Sequence, residues 1–115
     1  MSESQTIFLP WPPKELSPNA RVHWAKKAHA AKYYRLTCWG LALESDVKPS
    51  TKPVELRLTF NPPSGRFDDD NAIGAFKNGR DGLADAWKMN DRDFVVEYKF
   101  GEPVRGGRVT VEIVI

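Results

Sequence analysis

Three stretches of the chain alternate apolar and polar residues with a period of two, the signature of half-buried strands. In VELRLTF, Val54, Leu56, Leu58 and Phe60 fall on one face and Glu55, Arg57 and Thr59 on the other. The same rhythm runs through Phe94, Val96, Tyr98 and Phe100, and again through Val109, Val111, Ile113 and Ile115. A shorter apolar run from Gln5 to Leu9 stops at Pro10, and the proline-rich WPPKELSPN that follows predicts an ordered loop or lid. Two further stretches carry helical spacing. From Arg21 or Trp24 to Leu43, Ala28, Ala31, Tyr34, Cys38, Leu41 and Ala42 recur every three or four residues and predict one long amphipathic helix. A second helix is expected from Asn71 to about Lys88, with Ile73, Phe76, Leu83, Ala86 and Trp87 as its core stripe. Its glycines, Gly74, Gly79 and Gly82, each cost up to about 1 kcal/mol relative to alanine, so another backbone or a ligand is expected to approach closely there.

The order β-α-β-α-β-β, with one apolar face on every long strand, predicts an α+β fold. A two-layer α/β sandwich follows, with a mixed sheet of about four strands and two helices on one face. A chain of 115 residues suits one core, so residues 1–115 are read as a single domain. With 41% hydrophobic and 28% charged residues, disorder is not expected. No apolar run reaches the ~20 residues of a membrane span, and the first residues carry no basic leader, so a cytoplasmic protein without membrane contact is expected. The single cysteine, Cys38, sits among apolar residues and is read as core filler in a reducing compartment.

Charge changes this picture because it is unevenly placed. Seven of the eight aspartates lie between Arg66 and Asp93. Lys14, Arg21, Lys26, Lys27, Lys32 and Arg35, by contrast, face a single acid, Glu15, over their stretch. A basic segment suits a phosphate backbone as well as it suits a solvated helix face, and His23 and His29 within it are read as surface or phosphate-contacting residues. Trp11 in the proline loop either packs as an anchor or stacks on a base or sugar.

The acidic stretch points to a hard cation. If the backbone before the second helix is extended, Asp68 and Asp70 point the same way and Asp69 oppositely. Asp70 is also placed to cap that helix. On an ideal helix Asp70, Lys77 and Asp81, 7 and 11 residues on, return to within roughly 40° of one azimuth, with Gly74 on the same stripe. That stripe would admit a phosphate against the glycine, and its alternative is a Lys77 to Asp81 ion pair on a solvated face. Asp91 and Asp93 enter a strand that, beside Val54–Phe60, would bring a third carboxylate to the first two. Oxygen ligands without His or Cys suit Mg²⁺, with Mn²⁺ as a substitute.

Taken together these segments resemble the RusA family of Holliday junction resolvases, common in bacteriophages and prophages. The likeness lies in IFLPWPP, in the DxDN of Asp68, Asp70 and Asn71, in Lys77, Asp81 and Leu83, in the NDRD turn and in PVRGGRVTVEI, in the family's order. The resemblance implies a homodimeric, Mg²⁺-dependent endonuclease that resolves four-way DNA junctions by paired symmetric nicks, in the bacterial cytoplasm. It implies Asp68, Asp70 and Asp91 as metal ligands and Lys77 as the essential lysine. The family's best-known pattern has its lysine four residues after the second aspartate, where this chain has Gly74, so either three residues are inserted or one helical turn is offset. Phosphate contacts would come from Lys14, Arg21, Lys26, Lys27, Lys32, Arg35 and Arg66, and the dimer contact from the final strand or the WPP loop. The rival readings are a non-catalytic branched-DNA or nucleic-acid-binding protein on the same scaffold and a Mg²⁺-dependent enzyme acting on nucleotides.

Overall fold

Strand β2 (Val54–Asn61) is the centre of the molecule, because its alternation buries Val54, Leu56, Leu58 and Phe60 while the residues between them reach the other face. The computed structural model describes residues 4–65 and 68–114. Around β2 lie β1 (Ser4–Leu9), β3 (Phe94–Phe100) and β4 (Arg108–Val114), in the order β1-β4-β2-β3. β4 pairs antiparallel with both β1 and β2, whereas β2 and β3 are parallel, with Val54 opposite Phe94 and Phe60 opposite Phe100. The sheet is therefore mixed and four-stranded, and the α+β two-layer architecture expected from the alternation is the one observed.

Parallel neighbours need a crossover. Helix α1 (Trp24–Ser45) joins β1 to β2, and helices α2 (Asp69–Ala75) and α3 (Lys77–Trp87) join β2 to β3. The helices cover the face that carries Ile7, Leu9, Leu58, Phe60, Val109, Val111 and Ile113, all 3% exposed or less. On the open face, Arg57 lies 3.3 Å from Glu97 and 3.8 Å from Glu112. Such surface pairs contribute about 0–1 kcal/mol each and keep the face wettable.

Where one helix was expected from Asn71 to Lys88, two are found, separated at Phe76. The Phe76 N–H is shared between the carbonyls of Ala72 and Ile73, at 3.1 and 3.2 Å. Two causes combine. Gly74 and Gly79 lower the cost of leaving helical geometry, and the buried Phe76 ring is held by edge-on contacts with Tyr34 and Phe60. Close approach explains the third glycine, since a Cβ at Gly82 would stand 2.5 Å from the Arg35 carbonyl of α1. The corresponding obstacle at Gly74 is Pro18, and at Gly79 the Phe76 ring.

Cys38 is fully buried between α1 and α3, and burial pushes its thiol up to about 12. In the native protein it should react with an aromatic disulfide reagent at pH 8 at least about 100-fold more slowly than in urea, because both thiolate and access are lacking. Rapid native labelling would contradict this packing. Beside it, Tyr34 donates its hydroxyl to the Pro10 carbonyl at 2.7 Å, tying the proline loop to α1.

Candidate metal and nucleic-acid site

Strand direction decides which charges can meet. β1 and β2 both run antiparallel to β4, so both end at one edge of the molecule, where Leu9 and Phe60 flank Val109. The chain leaves β1 there into the proline loop and enters α1, and it leaves β2 there towards Asp68. Lys14, Arg21, Lys26 and Lys27 are thereby gathered at the same end as Asp68, Asp69 and Asp70, all of them exposed. The loop between β3 and β4 joins them. Gly101 donates to the Phe60 carbonyl and Val104 to the Pro62 carbonyl, both at 2.9 Å. Gly107, at φ 74, passes under Trp11, where a Cβ would come within 2.7 Å of the indole side chain.

Asp68, not Asp70, caps α2. Its Oδ1 accepts from the N–H groups of Asp70 at 2.9 Å and Asn71 at 3.3 Å, which leaves Oδ2 outside the cap. Asp69 and Asp70 occupy the first helical turn, where the helix dipole favours negative charge. Asp69 borders a cleft of about 270 Å³ walled by Trp11, Phe60, Pro62 and Phe100. Trp11 thus packs, edge-on to Phe60 at 6.2 Å, while still facing this cleft. Lys77 is exposed at the first residue of α3, immediately past the bend. The continuous stripe expected from Asp70 to Asp81 is interrupted at Phe76, and Pro18 fills the space beside Gly74 that a phosphate was expected to take.

Asp91 is elsewhere. Because β3 runs parallel to β2, both strands start at the same end, and Asp91 precedes the start of β3 whereas Asp68 follows the end of β2. The two ends are separated by the length from Val54 to Phe60, roughly 20 Å at about 3.3 Å per residue. The adjacency of the strands was read correctly, but their parallel sense carries the third carboxylate away from the pair. At that far end Asp93 lies 3.7 Å from Lys52. Among the described residues no group of three or more His, Cys, Asp or Glu side chains is placed to hold a metal ion.

The basic residues also divide. Arg35 is engaged, donating to Asp85 through Nε at 2.7 Å and Nη2 at 2.9 Å, with Asp81 3.9 Å away. This hydrogen-bonded pair holds the Asp85 carboxyl below its ordinary range and raises the Arg35 guanidinium. It replaces the alternative Lys77 to Asp81 pair and removes Arg35 from the free cations. Lys32 is exposed further along α1, and Arg66 lies outside the described residues. His23 caps α1, its Nδ1 accepting from the Ala25 N–H at 3.2 Å. Two residues escaped the sequence reading: Arg105, exposed in the loop at the acidic end, and Trp24, 76% exposed with its ring 5.6 Å from that of His23. Their signals were a charged residue beside the Gly106-Gly107 turn and an aromatic beside cations.

No protein-family model matches the chain. A protein of Xylella fastidiosa strain Temecula1, described as uncharacterized, is 40% identical over 119 aligned residues, covering 98% of this chain and 78% of that protein.

Proposed function

The chain belongs to the same family as the Xylella fastidiosa protein, and we propose that it is a Mg²⁺-dependent, structure-selective DNA endonuclease acting on four-way junctions in the bacterial cytoplasm. One observation carries the reading. The exposed carboxylates at the start of α2 and the free cations of the proline loop and the first turns of α1 share one end of the sheet. The resemblance of the DxDN, NDRD and PVRGGR segments to RusA resolvases supplies the substrate class and a phage or prophage origin. No helix is long and apolar enough to cross a membrane among the described residues.

The donor set suits Mg²⁺, which characteristically takes one or two carboxylates and completes its shell with water and substrate phosphate oxygens. Asp68, through Oδ2, and Asp70 would hold it, with Mn²⁺ as a substitute. When bound, the ion would polarise the phosphoryl oxygen and lower the pKa of a water. Lys14, Arg21, Lys26, Lys27 and Arg105 would grip phosphates and offset the repulsion between DNA and the aspartates, which makes binding salt-dependent. Lys77 would donate to a phosphate oxygen beside the scissile bond. Asp91 stands outside this site within one chain.

That separation of Asp91 favours the second reading, a non-catalytic branched-DNA-binding protein. Metal binding distinguishes the two. Mn²⁺ titration followed by electron paramagnetic resonance should show a site in the wild type that is lost in Asp68→Asn, a variant whose amide still caps the helix. Equal Mn²⁺ binding by both proteins, or by neither, would reject the Asp68 and Asp70 site.

A further inference from the structure

The cleft at the acidic end has aromatic walls that core packing alone does not require. Phe100 closes β3 at a position 43% exposed, where it stacks on the fully buried Phe60 at 5.5 Å. Trp11 meets the same Phe60 ring edge-on. Phe60 is nearly parallel to Phe100 and nearly perpendicular to Trp11, so a flat ring lying against one wall presents its edge to the other, and both are favoured aromatic geometries. The walls are held in place before anything binds. Gly101 and Val104 donate to the carbonyls of Phe60 and Pro62, which fixes the turn after Phe100 on the end of β2.

Size and rim chemistry choose the occupant. At about 270 Å³ the cleft is smaller than the roughly 300–1,000 Å³ of sites for drug-sized ligands, and it suits a single planar ring system. Asp69 is its one charged wall among the described residues. A carboxylate accepts hydrogen bonds and does not donate them, so it suits a ring whose edge carries donors, which an apolar peptide side chain lacks. Of the four DNA bases, guanine offers two neighbouring donors, N1–H and the N2 amino group, which match the two carboxylate oxygens. Cytosine and adenine offer one amino group beside an acceptor, and thymine one N–H between two carbonyls. A phosphate attached to such a ring finds cations at the same end, in the exposed Lys14 and in Arg105, directly after Val104. The second cleft there, of about 240 Å³, shares Trp11 but is walled by Pro12, Pro13 and Pro63 and has no carboxylate to read a base edge.

We propose that the cleft between Trp11 and Phe100 takes one unpaired base of the DNA strand at the acidic end, with Asp69 selecting guanine. The inference rests on the DNA reading above and needs neither the metal nor cleavage.

The test titrates the ¹⁵N-labelled full chain, in EDTA, with dGMP, dAMP, dCMP and TMP, and with deoxyribose 5-phosphate as the control without a base. Saturable shifts of the Trp11 indole N–H and the Gly101 amide are expected with the nucleotides and not with the sugar phosphate, and dGMP should bind at least about 5-fold tighter than TMP. Phe100→Ala should weaken binding of every nucleotide at least about 5-fold through lost stacking. Asp69→Asn should bring dGMP and TMP to within about 2-fold of each other. Asp69 is exposed and Asp68 makes the capping hydrogen bonds, so this second variant keeps the test independent of folding. Equal shifts from deoxyribose 5-phosphate, an unchanged dGMP affinity in folded Phe100→Ala, or a guanine preference that survives in Asp69→Asn would each overturn the proposal. Binding of a four-way junction in EDTA separates this inference from the reading it rests on. A junction bound without nucleotide shifts overturns the base site alone, whereas nucleotide shifts without junction binding overturn the DNA reading and keep the cleft as a site for a free nucleotide.

Discussion

Asp70→Asn should reduce single-turnover cleavage of a four-way junction on the order of 100-fold or more while leaving junction binding in Ca²⁺ or EDTA intact or tighter. Asparagine is nearly the same size, and Asp68, not Asp70, makes the capping hydrogen bonds. The substitution therefore removes a metal-ligand charge from an exposed side chain with little structural cost, limited to about 0.3–1 kcal/mol of favourable interaction with the α2 dipole. Loss of a carboxylate also removes repulsion between the apoprotein and DNA. Unfolding midpoints of the two proteins should therefore agree closely while their rates diverge. A variant that cuts as fast as the wild type would remove Asp70 from the site.

Phe60→Ala should destabilise the fold by about 3–5 kcal/mol, the range for truncating a buried aromatic, and lower Tm by more than about 10 °C. Phe60 is fully buried at the end of β2. Its ring contacts Trp11 and Phe76 edge-on at 6.2 and 5.7 Å, and stacks with Tyr98 and Phe100 at 6.2 and 5.5 Å. One side chain thus joins the proline loop, the bend between α2 and α3, and β3. Phe100→Ala, at a ring already 43% exposed, should cost less than half as much. Urea denaturation of the three proteins provides the comparison, and a Phe60→Ala loss below about 1.5 kcal/mol would mean that the aromatic cluster is not the keystone of this end.

The strands were legible because alternation is a local property, and Val54 to Phe60 bury as their pattern requires. Strand direction is not local. That β3 lies parallel to β2, and so carries Asp91 to the far end, follows from the crossover through α2 and α3 and is written in no short window of sequence. The cap was misplaced for a related reason. Asp68, Asp69 and Asp70 are chemically alike, and only the path of the loop after Asn61 makes the first of them the capping residue. Gly74 and Gly79 signalled close approach by another backbone or a ligand, with a phosphate expected at Gly74, whereas it is the Pro18 and Phe76 side chains that stand beside them. On α1, the apolar spacing identified Tyr34, Cys38 and Ala42 of the inner face but took in the exposed Ala28, missed the buried Ala30, and passed over Tyr33, Leu36 and Leu43 on the other side.

What was legible of the site is its raw material: aspartates in one segment and cations in another. Their meeting depends on both segments following strands that end together, Leu9 of β1 and Asn61 of β2. Arg35 shows how the fold withdraws a residue from such a pool, because Gly82 brings α3 close enough for Asp85 to take the guanidinium in two hydrogen bonds.

The most direct test incubates the wild-type protein with a synthetic four-way junction, a linear duplex of the same sequence and a single strand, each with Mg²⁺ and with EDTA. Paired nicks placed symmetrically across the junction, dependent on Mg²⁺ and absent from the other two substrates, are the predicted result. Junction binding without cleavage of any substrate in Mg²⁺ or Mn²⁺ would contradict the endonuclease and leave a DNA-binding protein in its place.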